Sequence, residues 1–391
     1  MEQREEKTEN IQRKRSRGKS SSSSLPLDLT SEIFSRLPAK SVVRFRCVSK
    51  LWSSITTAPY FTNSFETRPN LMFFFKEGDK FFVFTIPQHN QNPNESYSYS
   101  SSEIIDSYHT TYPKRCCVTT LTESVHGLIF FRKAATPIIW NPTMRKFKPL
   151  RKLDERWKNI KVSLGYDPVD GKHKVVCMPY GNAFYECRVL TLGSDQEWRT
   201  VKTNHKNSPF TFHGGVCYRQ SRCINGVIYY RADTNSGRVI LSFDVRSERF
   251  DVIELPWDEN FGLVMMMSYK GRLACLGFNH EKNSRSLWVL EDVEKREWSC
   301  HTYLPISHYE PGLENYFNLT GITNDGELIY VPNTVLERFH VIYFDAIRET
   351  FRRVIYKGVA DKGFRLRNGL EDKPIRRLHF FPNHIETLMS L

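Results

Sequence analysis

The stretch "NGVIYYR" (Asn225–Arg231), followed by "VILSFDVRSERFDVI" (Val239–Ile253), decides the fold. A glycine turn opens an aromatic and β-branched run. A second such run follows, a charged tip turns the chain back, and Phe250 opens the return. Side chains of these types fit a pleated, half-buried surface, so each run reads as a strand. The same order recurs along the chain. "HGLIFFR" (His126–Arg132) precedes "PIIWNPTMRKFKPL" (Pro137–Leu150), and "KGRLACLGF" (Lys270–Phe278) precedes "SLWVLEDVEKREWSCH" (Ser286–His301). "DGELIYVP" (Asp325–Pro332) precedes "FHVIYFDAIRETFRRV" (Phe339–Val354). "CRVLTLGSDQEWRTV" (Cys187–Val201) is a fifth copy of the second half, with the hairpin "LGYDPVDGKHKVVCM" (Leu164–Met178) standing for its first half.

Gly226 and Gly271 are 45 residues apart, and Gly271 and Gly326 are 55 apart. Between Gly127 and Gly226 lie 99, room for two units. A period of roughly 45 to 50 residues with four short strands per unit predicts a mainly β fold, a kelch-like β-propeller. Counting from Leu71 gives about six blades. One blade alone exposes both faces, and stacking on its neighbours buries them. The aromatics after each tip (Phe147, Phe250, Trp298 and Phe351) are therefore expected to pack between blades. "LHFFPNHIETLMSL" (Leu378–Leu391) is expected to supply a closing strand.

The 391 residues carry a net charge of +13, a diffuse excess without the stripe that a phosphate backbone needs. No apolar run approaches a membrane span. Residues 1–24 are basic and Ser-rich with little to bury, and read as a disordered tail. "RKRSRGK" (Arg13–Lys19) fits a nuclear localisation signal, so nucleus and/or cytoplasm is the expected location. The nine cysteines form no C-x-x-C pair and are expected to be reduced. No nucleophile, phosphate-loop or zinc motif is present, so no catalytic residue, cofactor or metal is expected.

Ahead of the strands lies "LPLDLTSEIFSRLPAKSVVRFRCVSKLWSSI" (Leu25–Ile55), which reads as short helices. Leu29, Ile33 and Leu37 fall on one helical face, and Ser49 is a candidate N-cap for the helix carrying Trp52. A unit of this size cannot hide all its apolar surface. Arg36, Lys40, Arg44, Arg46 and Lys50 surround the apolar positions, so its partner is expected to be apolar with an acidic rim.

"EIFSRLP" (Glu32–Pro38) and "RCVSKLW" (Arg46–Trp52) resemble the F-box, here spanning residues 25–66. "HGLIFF", "IIWNPTMRKFKPL" and "GYDPVDGKHKVV" make residues 70–391 similar to the plant F-box-associated interaction domain, with His173 where that family usually has an aromatic. The resemblance implies a non-catalytic substrate receptor of an SCF (cullin-RING) ubiquitin ligase, docked on an acidic Skp-type adaptor. The adaptor contacts it implies are Leu25, Pro26, Leu27, Ile33, Leu37, Pro38, Val42, Phe45, Val48, Ser49 and Trp52. An adaptor-holding decoy and a basic RNA-associated propeller are the alternatives. The target is an unknown protein. Its expected site is on the long connections between repeats, which carry or adjoin Phe210, Phe212, Trp257, Phe261, Tyr309, Tyr316 and Phe317. Aromatics dominate interface hot spots.

Overall fold

The computed structural model describes residues 25–65, 69–88, 99–102, 106–111, 123–133, 136–153, 157, 160–179, 186–193, 197–203, 221–234, 237–257, 261–279, 284–336 and 338–391. Six antiparallel sheets succeed one another along the chain, and each is a propeller blade. The second to fifth blades are simple four-strand meanders, innermost strand first. The fourth, for example, runs Ser221–Ile224, Val227–Thr234, Gly237–Asp244 and Phe250–Glu254. The sixth blade begins at Phe317–Ile322 and gains a fifth strand, Tyr99–Ser102, laid parallel on its outer edge.

The first blade closes the ring. Its strands Asn70–Glu77, Lys80–Pro87 and Asp106–Thr111 lack an innermost member, and His379–His384 from the far end of the chain takes that place beside Asn70–Glu77. The innermost strands of all six blades are then neighbours in a closed circle. Ring closure removes the exposed end surfaces that a row of blades would leave. The expected closing strand is thus Leu378–Leu391 in part, with residues 385–391 continuing beyond it as a tail.

Local chemistry sets the turns. Asn225–Gly226, Lys270–Gly271 and His126–Gly127 each have two successive positive φ values. That is the two-residue turn whose twist matches paired strands, and the second position takes glycine readily. A Cβ on Gly127 would lie 2.6 Å from the Ile385 carbonyl oxygen, so the tail passes where only glycine leaves room. The outer turns follow another rule. Asn141, Asp244, Asp292 and Asp345 each stand six residues before the aromatic that opens the last strand. Their Oδ1 atoms accept from the backbone N–H of Met144 (3.0 Å), Ser247 (2.6 Å), Lys295 (2.9 Å) and Arg348 (3.1 Å). Four residues after each, Arg145, Glu248, Arg296 and Glu349 sit at positive φ.

The core is divided among the blade interfaces. Six apolar clusters each join two adjacent blades. Between the first and second blades, Phe147 stacks on Trp140 at 5.5 Å, with Phe74 edge-on to the same indole at 5.4 Å. Phe250 is buried against Phe243 between the third and fourth. Trp298 and Phe351 pack against the clusters of the fourth–fifth and fifth–sixth interfaces. His173 is buried where an aromatic was expected, and its Nε2 hydrogen-bonds the Val125 carbonyl of the second blade (3.0 Å). Lys174 reaches the next blade, donating to the Val245 carbonyl and pairing with Glu248 at 2.8 Å.

Candidate functional site

Four short helices precede the propeller: Leu27–Ser35, Ala39–Phe45, Lys50–Thr57 and Pro59–Ser64. Ser49 caps the third, accepting from the Trp52 N–H at 3.1 Å. Phe34, Ala39, Val42, Ile55, Phe61 and Phe65 form their buried centre. Phe45 and Trp52 are half-buried beside it, and Phe34 packs edge-on to Trp52 at 5.2 Å. One further residue completes the cluster: Leu388, from the opposite end of the chain.

On the first helix the inward residues are Thr30 and Phe34. The Leu29–Ile33 face points outward. Leu25, Leu27, Leu29, Ile33, Val48, Leu51 and Tyr60 are all exposed. These seven are half of the fourteen exposed large apolar residues among the described ones, gathered within a stretch of 36 positions. Surface apolar residues scattered singly are ordinary, and a gathered set marks a contact surface.

The structure sorts the expected adaptor contacts accordingly. Leu25, Pro26, Leu27, Ile33, Pro38, Val48 and Ser49 are exposed, and Leu37, Phe45 and Trp52 are half-buried. Val42 is a correction. It is fully buried in the helical centre, so it supports the surface from beneath and presents nothing to a partner. Leu29, Leu51 and Tyr60 belong to the exposed set and were absent from the expected contacts. The i, i+4 spacing of Leu29 and Ile33 held the signal for the first of them. Arg46 departs from the basic ring around the apolar face. Its guanidinium turns inward to the carbonyls of Thr56 (2.7 Å) and Leu388 (3.4 Å).

The helical unit therefore sits on residues 385–391 and the outer turn of the second blade. The Ala39 N–H donates to the Glu386 carboxylate (3.3 Å), and the Thr387 N–H donates to the Thr143 hydroxyl (3.2 Å). Asn141 ties the two together. While its Oδ1 caps the turn, its Nδ2 donates to the carbonyls of Thr387 (3.3 Å) and Met389 (2.9 Å). The matching turns of the fourth, fifth and sixth blades carry aspartate, which has no proton to donate. This face of the propeller holds the short turns. The described long connections, 304–316 and 357–378, lie on the opposite face.

Of the seven aromatics expected to hold a target, three are spent on packing. Trp257 lies among Trp288 and Trp298, with centroids 5.8 Å from each. Tyr309 packs on Phe344 at 5.7 Å, and Phe317 is buried in the fifth–sixth interface. The Phe261 backbone begins the strand Phe261–Tyr269 and is not part of a loop. Phe210 and Phe212 lie outside the described residues. Tyr316 is open to solvent, 71% exposed. The physical reason is common to the buried ones: long connections on a propeller fold back on the blade edges, where a large ring gains more by burial than by waiting for a partner.

Among the described residues, one cavity opens on each of the two faces described above. One, of about 570 Å³, lies at the channel on the short-turn face and receives residues from every blade. It contains the Glu123–Arg222 pair (3.6 Å), and the Glu123 carboxylate also accepts from the Cys223 N–H. The other, of about 600 Å³, lies on the long-connection face around the start of the sixth blade. Among the described residues no group of His, Cys, Asp and Glu is placed to hold a metal.

Helices with a gathered exposed apolar face, mounted on a six-bladed propeller, define an F-box protein of the receptor type. The chain matches the F-box domain over residues 22–64 and the F-box associated beta propeller domain over residues 70–385, and belongs to that family. It is 99% identical over its whole length, and the whole length of that protein, to F-box protein At1g47730 of Arabidopsis thaliana. F-box protein At1g48060 of the same plant is 58% identical, with 94% of this chain and 93% of that one covered. F-box protein At1g47790, also from Arabidopsis thaliana, is 47% identical over the full length of both. Among solved structures, a nidogen/laminin complex matches at 8% identity and a TM-score of 0.41, over 74% of this chain and 99% of that one, too slight to bear on fold or function.

Proposed function

We propose that this chain is the substrate-recognition subunit of an SCF-type ubiquitin ligase, with its helices docked on a Skp-type adaptor and its propeller holding a target protein. The observation that carries this reading is the gathered set of seven exposed apolar side chains on the helices. Burying a large apolar side chain is worth roughly 1.5–3 kcal/mol, so a few of them hold a micromolar complex. The exposed Arg44 and Lys50 and the half-buried Lys40 around them complement an acidic rim on the partner. The chain is read as non-catalytic, supplying position and not chemistry. The basic run Arg13–Lys19 favours residence in the nucleus as well as the cytoplasm.

The fixed mounting also serves a receptor. Ala39, Arg46 and Leu388 tie the helices to the propeller, so a target on the far face is held at a set distance from the adaptor. The experiment has two parts. Adaptor should co-purify with the full chain, and ubiquitin conjugates on its captured proteins should fall when the chain is deleted from cells. Co-purification with unchanged conjugation would favour the decoy reading, and no co-purification would defeat both.

A further inference from the structure

We propose that the groove on the long-connection face is the target-binding subsite, and that it takes a peptide segment carrying an Asp or Glu beside an apolar side chain. This rests on the receptor reading and names the substrate chemistry for it. The groove, about 600 Å³, has an apolar floor that includes Met265, Phe317, Leu319 and Leu378. Arg285 and Arg377 also line it, and among the described residues none of the lining ones is acidic. An apolar floor in a groove lined by two arginines is complementary to an apolar anchor next to a carboxylate, since arginine binds carboxylates through paired N–H donors.

Contrast with the opposite cavity sharpens the assignment. There Arg222 is already met by Glu123, so its charge is satisfied within the fold. Arg377 is exposed and makes no ion pair among the described residues. It is also held at φ +57°, a backbone conformation that a long side chain seldom adopts. Arg285 is placed by its neighbour, with its guanidinium over the Phe278 ring at 4.9 Å. The chain's net charge of +13 adds long-range attraction for an acidic partner. The groove also lies on the face away from the helices, open while an adaptor is bound.

A random peptide library displayed on phage, selected on the tagged full chain, tests this without needing adaptor. Enriched peptides should place Asp or Glu beside Leu, Ile, Met or Phe. Binding of an enriched synthetic peptide should fall roughly tenfold in Arg377→Asn, which tolerates the left-handed backbone, and further with Arg285→Gln added. Lys270→Asn is the matched control: an exposed cation at φ +51° on the other face, where no change is expected. Absence of enrichment, enrichment without acidic residues, or equal binding by Arg377→Asn would overturn the proposal. So would displacement of the peptide by polyuridylate at lower concentration than by the unlabelled peptide, which would identify the groove as an RNA site. Failure of the receptor reading would show separately, as loss of adaptor co-purification with peptide binding intact.

Discussion

Asn141→Asp is the smallest change that should separate the helices from the propeller. The two side chains have the same shape, and the turn cap to the Met144 N–H survives because Oδ1 remains. What changes is the other atom. A donor to the Thr387 and Met389 carbonyls becomes an acceptor facing them, at a residue with no solvent exposure. Two hydrogen bonds of about 0.5–1.5 kcal/mol each are lost, and carbonyls and carboxylate are left opposed without partners. The expected destabilisation of the seated tail is about 2–4 kcal/mol, roughly a thirty- to thousandfold shift toward its released state. Hydrogen exchange read by mass spectrometry is the assay. Amides of residues 385–391 and of the helices at 27–57 should lose protection, while the inner strand His379–His384 keeps it. The reverse exchange, Asp244→Asn, at a turn that carries no tail, should move stability by less than about 0.5 kcal/mol. Unchanged protection of 385–391 in Asn141→Asp would refute the role given to Asn141.

Leu388→Ala should cost about 2–5 kcal/mol, because it empties space among Phe34, Val42, Ile55 and Phe61. Calorimetry should show the loss in the helical unit with the propeller transition preserved, and a melting curve like that of the unchanged chain would contradict it. Stability should also fall with acid. Burial lowers His173 and His384 from the usual value near 6.5 to about 3, so the folded chain keeps both neutral while the unfolded chain protonates them. Stability is then complete above about pH 7 and falls as pH drops toward 3, by about 2 kcal/mol per histidine at about pH 5. Urea midpoints across that range measure it; burial lowers His126 and His340 as well, so His173→Phe should remove part of the slope. An equal slope in that variant would mean that other groups carry the effect.

The architecture was legible because a propeller writes its period into the chain. Five of the six blades repeat the glycine turn, the strand pair and the returning aromatic, and residues such as Phe147 and Phe250 pack between blades as their positions indicated. The helical unit was legible from motif and patterning. What was hidden lay in contacts between distant parts of the chain. Val42 looked like its apolar neighbours, and only the third dimension turns it inward. Arg46 read as one cation among five, yet its partners include a carbonyl 342 positions away. Asn141 does differ from the aspartates at the matching turns of the fourth to sixth blades, but its partners on the tail lie more than 240 positions away. A ring in a long connection looks the same in sequence whether it meets a target or the blade beneath it, so nothing in the sequence marked Trp257 and Tyr309 as packed within the fold.

Docking through the exposed helical face is most directly tested by titrating purified Skp-type adaptor into the full chain by calorimetry, beside Ile33→Asp. Ile33 is 47% exposed and lies outside the buried cluster, so the variant should fold with an unchanged melting temperature. The prediction is saturable binding to the unchanged chain and a loss of at least tenfold in the variant, since a charge replaces an apolar contact in the interface. Equal affinity for the two chains, or no binding to either, would contradict it.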